Sequence, residues 1–346
     1  MKITAREIEV PDSLEGVNEY FMEKGWGDGL PIIPPTRERV EAMLALSPLP
    51  PNYRIGEVAP IWAIATPENV AISAVMAGCK PEYFQVVLAA VAACLDPGFN
   101  LYNIQTNTNP SSPMILVNGP IAKQIGLNSK LGAFGPGFVA NATIGRALRL
   151  ALTSIGGAFP GDLDVATQGW PGKYTFCAAE NEEENPWEPL HVERGFDALT
   201  STVTVAPVHG FHNIVDLSSK TADEVLTLIS SGMAVVGTNN AASGGYPLIV
   251  LPPEKAETIH ADGFSKDDVK LFIFEHARIP FSQFPLPEAE LMRKWRPKWA
   301  DADALPIADR PEDITVIVVG GPGMHIVYLP TFGGFSIVTK PLNWYE

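Results

Sequence analysis

The side chains that could bind or move charge fall into a few short stretches of this chain. The first is Gly135-Pro136-Gly137 followed by Asn141, Thr143 and Arg146, where a helix pattern begins. Free N–H groups, the positive end of a helix dipole and a guanidinium together suit a carboxylate or a phosphate. An ordinary capped helix with a surface arginine would read the same way. The stretch is neither G-x-x-x-x-G-K-[ST] nor G-x-G-x-x-G, so no nucleotide is indicated and the cofactor, if any, stays unknown at this level.

Two polar loops, residues 105–109 (QTNTN) and 238–240 (TNN), offer Asn107, Asn239 and Asn240, whose amides both donate and accept hydrogen bonds. They could orient the reacting group of a polar substrate, although Asx turns use the same residues. Residues 209–213 (HGFHN) and 180–191 (ENEEENPWEPLH) offer His209, His212, Glu180 and Glu182 as a conceivable metal set. An HxxH in a loop is a weak metal signal, and a glutamate run is usually a solvated face. His212, beside Asn213, therefore reads better as a general acid or base than as a ligand. Of the three cysteines, Cys79 stands beside Lys80 and just before a helix opening at Pro81, where a thiolate would be stabilised. It is the candidate nucleophile or redox thiol, against the commoner fate of a buried structural cysteine. Cys94 and Cys177 read as reduced core thiols. A glycine turn over residues 320–323 would let backbone approach a ligand closely, or merely turn one strand into the next.

These stretches sit at the ends of predicted strands. Residues 104–125 (IQTNTNPSSPMILVNGPIAKQI) and 236–259 (VGTNNAASGGYPLIVLPPEKAETI) share one order: a polar Asn-bearing lead, a proline, an apolar run, then proline at a helix start. Such self-similarity predicts an α/β chain of two similar half-domains related by an internal repeat, with a cleft between them for a small ligand. The segments are an N-terminal helix and strand–Pro–helix unit (1–57), a first α/β half-domain (58–157), an irregular polar excursion (158–200), a second half-domain (201–280), and a Pro/Trp-rich segment with C-terminal strands (281–346). Short strands are expected at 30–33, 114–117, 201–207, 233–236, 247–251, 314–319 and 326–329. The clearest helix is 141–157, with Asn141 as N-cap and Ile144, Leu148, Leu152 and Ile155 as its apolar stripe. Thr221-x-x-Glu224 is a capping box.

Composition bounds the rest. The chain has 346 residues, 46% of them hydrophobic and 18% charged, enough for a substantial core. Its net charge of -15 argues against nucleic acid and against an anionic membrane surface. No run approaches a membrane span and no secretory leader is seen, so a cytoplasmic location is expected. Three scattered cysteines form neither a zinc ribbon nor a disulfide framework.

The strings GWGDGLPIIPPT, AGCKPEYF, NGPIAKQIGLNS, NATIGRALRL, PGKYTFCAAENEE and PWEPLHVERGF, spread over roughly residues 20–280, resemble as a set an uncharacterised bacterial family. That family is associated with small companion proteins carrying a UGSC or CGSC thiol or selenol motif. The resemblance implies one subunit of a complex whose partner brings the reactive sulfur or selenium. This chain has no such motif, since Cys79 is followed by Lys80 and Pro81.

Together these readings predict an oligomeric enzyme subunit, of the oxidoreductase or lyase kind, acting on a small polar, carboxylate-bearing molecule between two half-domains. Asn141, Thr143 and Arg146 would hold the anion, and Asn107, Asn239 and Asn240 would orient the reacting group. His212 would move protons, and Cys79 or a partner thiol would supply nucleophilic or redox chemistry. One alternative is a metal-dependent hydrolase or lyase built on His209, His212, Glu180 and Glu182. The other is a non-catalytic scaffold whose Trp- and Pro-rich stretches at 168–190 and 280–300 are contact surfaces.

Overall fold

A computed structural model describes residues 4–346. It is a mixed α/β fold built on two four-stranded sheets. In the first, the order is Val338–Pro341, Thr202–Val208, Ser112–Asn118, Cys177–Ala179; only the last two strands are parallel neighbours. In the second, the order is Thr315–Val318, Leu248–Leu251, His325–Leu329, His212–Val215; only the first two are parallel. Read from the parallel edge, both sheets have the same directions: one parallel pair, then two antiparallel steps. In both, the strand at the antiparallel edge arrives from the other sheet. Thr202–Val208 lies in the first sheet and the next strand, His212–Val215, in the second; His325–Leu329 lies in the second and the next, Val338–Pro341, in the first.

The alternation of side chains along the strands explains the layers. Met114, Leu116, Ala206 and Val208 of the first sheet meet Leu248, Val250, Ile317, Val327 and Leu329 of the second in one core. The intervening residues face outward onto helices. Ile115, Val117, Val203 and Val205 pack with Val87, Ile144, Leu148 and Leu152. Ile249, Leu251, Val316 and Val318 pack with Val225, Ile229, Val269 and Ile273. The layers are helix, sheet, sheet, helix. Phe84–Cys94 lies on Thr202–Val208 and Val338–Pro341, as Ala222–Met233 lies on His325–Leu329 and His212–Val215. Val139–Gly156 and Lys266–His276 flank them and reach Cys177–Ala179 and Thr315–Val318 respectively.

Local chemistry sets the helix starts. Thr66 caps Pro67–Ala77 reciprocally with Asn69, Thr221 caps Ala222–Met233 with Glu224, and Ser265 caps Lys266–His276 with Asp268. Some expectations are corrected. Residues 30–33 form no strand: Pro31 removes one ladder donor, and Ile32 N and Ile33 N donate to Asn18 Oδ1 and Met76 O. Residues 233–236 finish a helix and turn rather than forming a strand. A strand pair outside the expected ones is Gly56–Val58 with Ala63–Ala65. The clearest helix starts earlier than expected, at Val139, with Phe138 at the N-cap position and Asn141 inside the first turn. The Pro/Trp-rich segment packs Phe281, Phe284, Ala289, Met292 and Leu305 against Ile279 and Ala241 of the preceding segment. No single helix among the described residues is long and apolar enough to cross a membrane. The bent pair Pro81–Cys94 and Pro97–Thr106 has the composition for it, but Phe84–Cys94 is core, with only Gln85 not buried.

Candidate functional site

The two polar loops meet. Ser111, just before Ser112–Asn118, faces His209, just after Thr202–Val208; the antiparallel register that pairs Ser112 with Val208 makes them neighbours. Ser111 Oγ lies 3.2 Å from His209 Nε2 and 3.4 Å from Nδ1. From the other half of the molecule, Asn239 at the start of helix Asn239–Ser243 brings its amide Nδ2 within 2.8 Å of His209 Nδ1. Asn107 Nδ2 donates to Ser111 Oγ at 3.3 Å, and Asn107 Oδ1 is buried with no partner. His209 N donates to Pro330 O at 2.9 Å, so the imidazole stands where the two inter-sheet connections cross. Phe332 stacks on the ring at 6.2 Å.

Electrostatically this is a neutral site. Burial alone pulls the His209 imidazolium down to about 4, and no carboxylate opposes it. As placed, Asn239 donates to Nδ1, which leaves the ring proton on Nε2, toward the Ser111 hydroxyl. Turning the amide over reverses the relay: Nδ1–H donates to the Asn239 oxygen, and Nε2 accepts from Ser111. The serine oxygen is almost equidistant from both nitrogens, and Asn239 occupies Nδ1, which leaves Nε2 as its partner. His209 and Ser111 are buried, while Asn107, Asn239 and Phe332 are partly exposed and form the approach.

Asn240, next in the chain, does something else. Its Oδ1 accepts from Tyr328 OH at 2.7 Å and Thr331 N at 2.9 Å; its Nδ2 donates to Gly244 O at 2.6 Å and Thr331 Oγ1 at 3.2 Å. Every polar atom of that amide is used, and it is fully buried, so it ties the second polar loop to the 330–337 connection and has nothing left for a substrate.

The other foreseen residues are placed elsewhere. Arg146 grips Asp28 through two bonds of 2.7 and 2.8 Å and also donates to Pro31 O at 3.0 Å. The carboxylate-binding chemistry predicted there is present, but the carboxylate belongs to the chain. Asn141 accepts from Asn128 N at 2.9 Å and donates to Asn128 O and Ala133 O, pinning the glycine-rich loop. Thr143 Oγ1 donates to Val139 O. Cys79 contradicts the thiolate expectation: desolvation pushes its thiol up to about 12, with only a hydrogen bond to Thr143 pulling the other way. His212 starts an edge strand, is exposed, and stands edge-on to Tyr328.

Glu180 and Glu182 do not join the histidines at 209 and 212, so the proposed metal set is not assembled. Among the described residues no group of three His, Cys, Asp or Glu is placed to hold a metal ion. Instead the two carboxylates gather at the carboxyl ends of the parallel pair in the first sheet. Asn118 Nδ2 donates to Glu180 at 2.6 Å and Glu182 at 2.9 Å, Leu190 N to Glu180 at 2.8 Å, Asn185 to Glu180 at 3.0 Å, and Gly119 N to Glu182 at 2.7 Å. Burial raises the Glu180 carboxyl above its usual range, against the pull of Lys266 and these donors. Sequence reasoning missed Ser111 and gave His209 only a metal role. The signal available was its place, two residues past the apolar alternation of 201–207.

Comparison with protein-family models, with curated proteins and with solved structures gave no match.

Proposed function

We propose that this protein is an enzyme acting on a small polar molecule at the junction of two duplicated α/β half-domains, with His209 rather than His212 as its proton-moving group. The matching strand directions and helix placements of the two sheets support reading the chain as one unit repeated, each copy lending its fourth strand to the other. In that reading the two lent strands leave their own sheets side by side, and His209 sits at the crossing. The observation that carries the function is the Ser111–His209–Asn239 line: a hydroxyl, a neutral imidazole and an orienting amide, drawn from both halves. Such a line transfers a proton to or from a bound substrate, or activates the serine oxygen. Asn239 holds Nδ1 and ties the tautomer to the orientation of its own amide, as an orienting third group holds the imidazole in other relays. Burial pushes the pKa of all three thiols of this chain up, so any thiol or selenol redox step belongs to a partner protein's reactive atom.

The test is differential depletion. Purified wild-type protein, His209→Gln and His212→Gln are each incubated with a small-metabolite extract, and loss of components is followed by mass spectrometry. The reading requires that wild type and His212→Gln consume the same component and His209→Gln does not. Equal depletion by all three, or by none, rejects it.

A further inference from the structure

Arg149 is a buried cation without an anion of its own. It lies one turn beyond Arg146 on Val139–Gly156 and is only 8% exposed. Among the described residues it donates a single hydrogen bond, from Nε to Lys173 O at 3.2 Å. Its two terminal amino groups meet no protein acceptor, and neither is sealed from solvent. The nearest carboxylate in charge terms is Asp164, already held by Lys173 Nζ at 2.6 and 2.7 Å to its two oxygens. Two cations therefore share one carboxylate, leaving one positive charge in excess in a protein whose net charge is -15.

We propose that Arg149 is the seat of a small monoanionic carboxylate, held two-pronged by the free edge of the guanidinium. A planar pair of oxygens matches that edge, whereas a point-like halide does not. An excess of one charge is balanced by a monoanion. Burial of the guanidinium disfavours its charged form, so a bound anion relieves a cost the protein otherwise carries. The segment carrying Asp164 and Lys173 is tied to the first polar loop, because Thr167 N donates to Thr108 O at 3.0 Å. That loop leads to Ser111. As an anion site the seat stands alone; that it takes the carboxylate of the enzyme's substrate rests on the proposed function.

Acetate is the probe. Saturation transfer from the protein to the acetate methyl group is measured at constant ionic strength for wild type, Arg149→Gln, Arg149→Lys and Arg146→Gln. We expect transfer in wild type and Arg146→Gln and at least a tenfold weaker apparent affinity in Arg149→Gln, the effect of one lost two-pronged contact. Arg149→Lys keeps the charge without the planar edge and is expected to fall between them. It also serves if Arg149→Gln fails to fold. Equal transfer in wild type and both Arg149 variants overturns the site, as does inorganic phosphate displacing acetate in the Arg149 variants and wild type alike. His209→Gln separates the two claims. If it binds acetate as wild type does but turnover is unaffected, the anion site survives and the proposed catalytic role of His209 falls.

Discussion

The sheets carry buried polar clusters of opposite character at two places: the inter-sheet crossing and the carboxyl ends of the first parallel pair. At the crossing every group is neutral: Ser111, His209 and Asn239, with Asn240, Tyr328 and Thr331 beside them. At the carboxyl ends the cluster is built on Glu180 and Glu182 and the donors they demand. A buried carboxylate immobilises its surroundings, because each lone pair left without a donor is expensive. A neutral imidazole makes no such demand and keeps a proton that can move. In α/β proteins ligands usually sit at strand carboxyl ends, yet here the chain's own Glu180 fills that place, as Asp28 fills the place at Arg146. In a chain with 39 acidic residues against 24 basic ones, internal carboxylates take the obvious anion seats. A base without one, Arg149, stands out.

The comparison breaks first at Glu180. Glu180→Ala removes an acceptor from Leu190 N, Asn118 and Asn185 in a residue only 3% exposed. It should cost about 3–5 kcal/mol in denaturant unfolding, the range for breaking a buried charged network. Glu180→Gln keeps one acceptor oxygen and should recover most of that. A loss under about 1 kcal/mol for the alanine variant would mean the carboxyl-end cluster does not organise its loops.

Next comes the pH dependence of the crossing. The folded His209 titrates at about 4 against 6.5 for the free side chain. As pH falls through 6.5 the unfolded chain takes the proton first, so stability present above that pH is lost on the way down to 4. The shift corresponds to about 3 kcal/mol. Glu180 has the opposite sign: its raised folded pKa stabilises at low pH and is lost as pH rises through it. The difference in unfolding free energy between wild type and His209→Gln, measured from pH 7 to 4, should therefore shrink by about 3 kcal/mol as pH falls. A constant difference would mean the imidazole is not desolvated.

How much of this was legible depended on the range of the signal. Apolar alternation at 201–207 and the β-branched run at 314–319 marked strands, and Thr221 with Glu224 marked a helix start, because those signals are local. The pairing of Val338–Pro341 with Thr202–Val208 joins segments far apart in the chain, and nothing in its own residues announces it. For the site, Asn107 and Asn239 were picked out by residue type, and both reach the His209 cluster. Arg146 and Asn141 failed as free ligands because their partners, Asp28 and Asn128, lie in loops whose approach no periodicity encodes. Choosing between Arg146 and Arg149, one turn apart on one helix, needs the partners each meets in the folded chain: Asp28 for the first, only Lys173 O for the second.

The smallest effects separate neighbours. Asn240→Ala orphans Tyr328 OH and Thr331 N and should cost about 2–4 kcal/mol. Asn239 is partly exposed and its side chain contributes one contact, to His209. Asn239→Ala should therefore cost under about 1 kcal/mol, since water can replace the amide. Its effect belongs to turnover: with Nδ1 left to solvent, no side chain holds the imidazole against Ser111, so depletion of the component found with wild type should slow by about tenfold or more. His212→Ala, on an exposed edge strand, should stay within about 0.5 kcal/mol and leave depletion intact. If instead His212→Ala slows depletion and Asn239→Ala does not, the proton moves on the outer face of the second sheet's edge, and the crossing is a structural knot with a buried histidine at its centre.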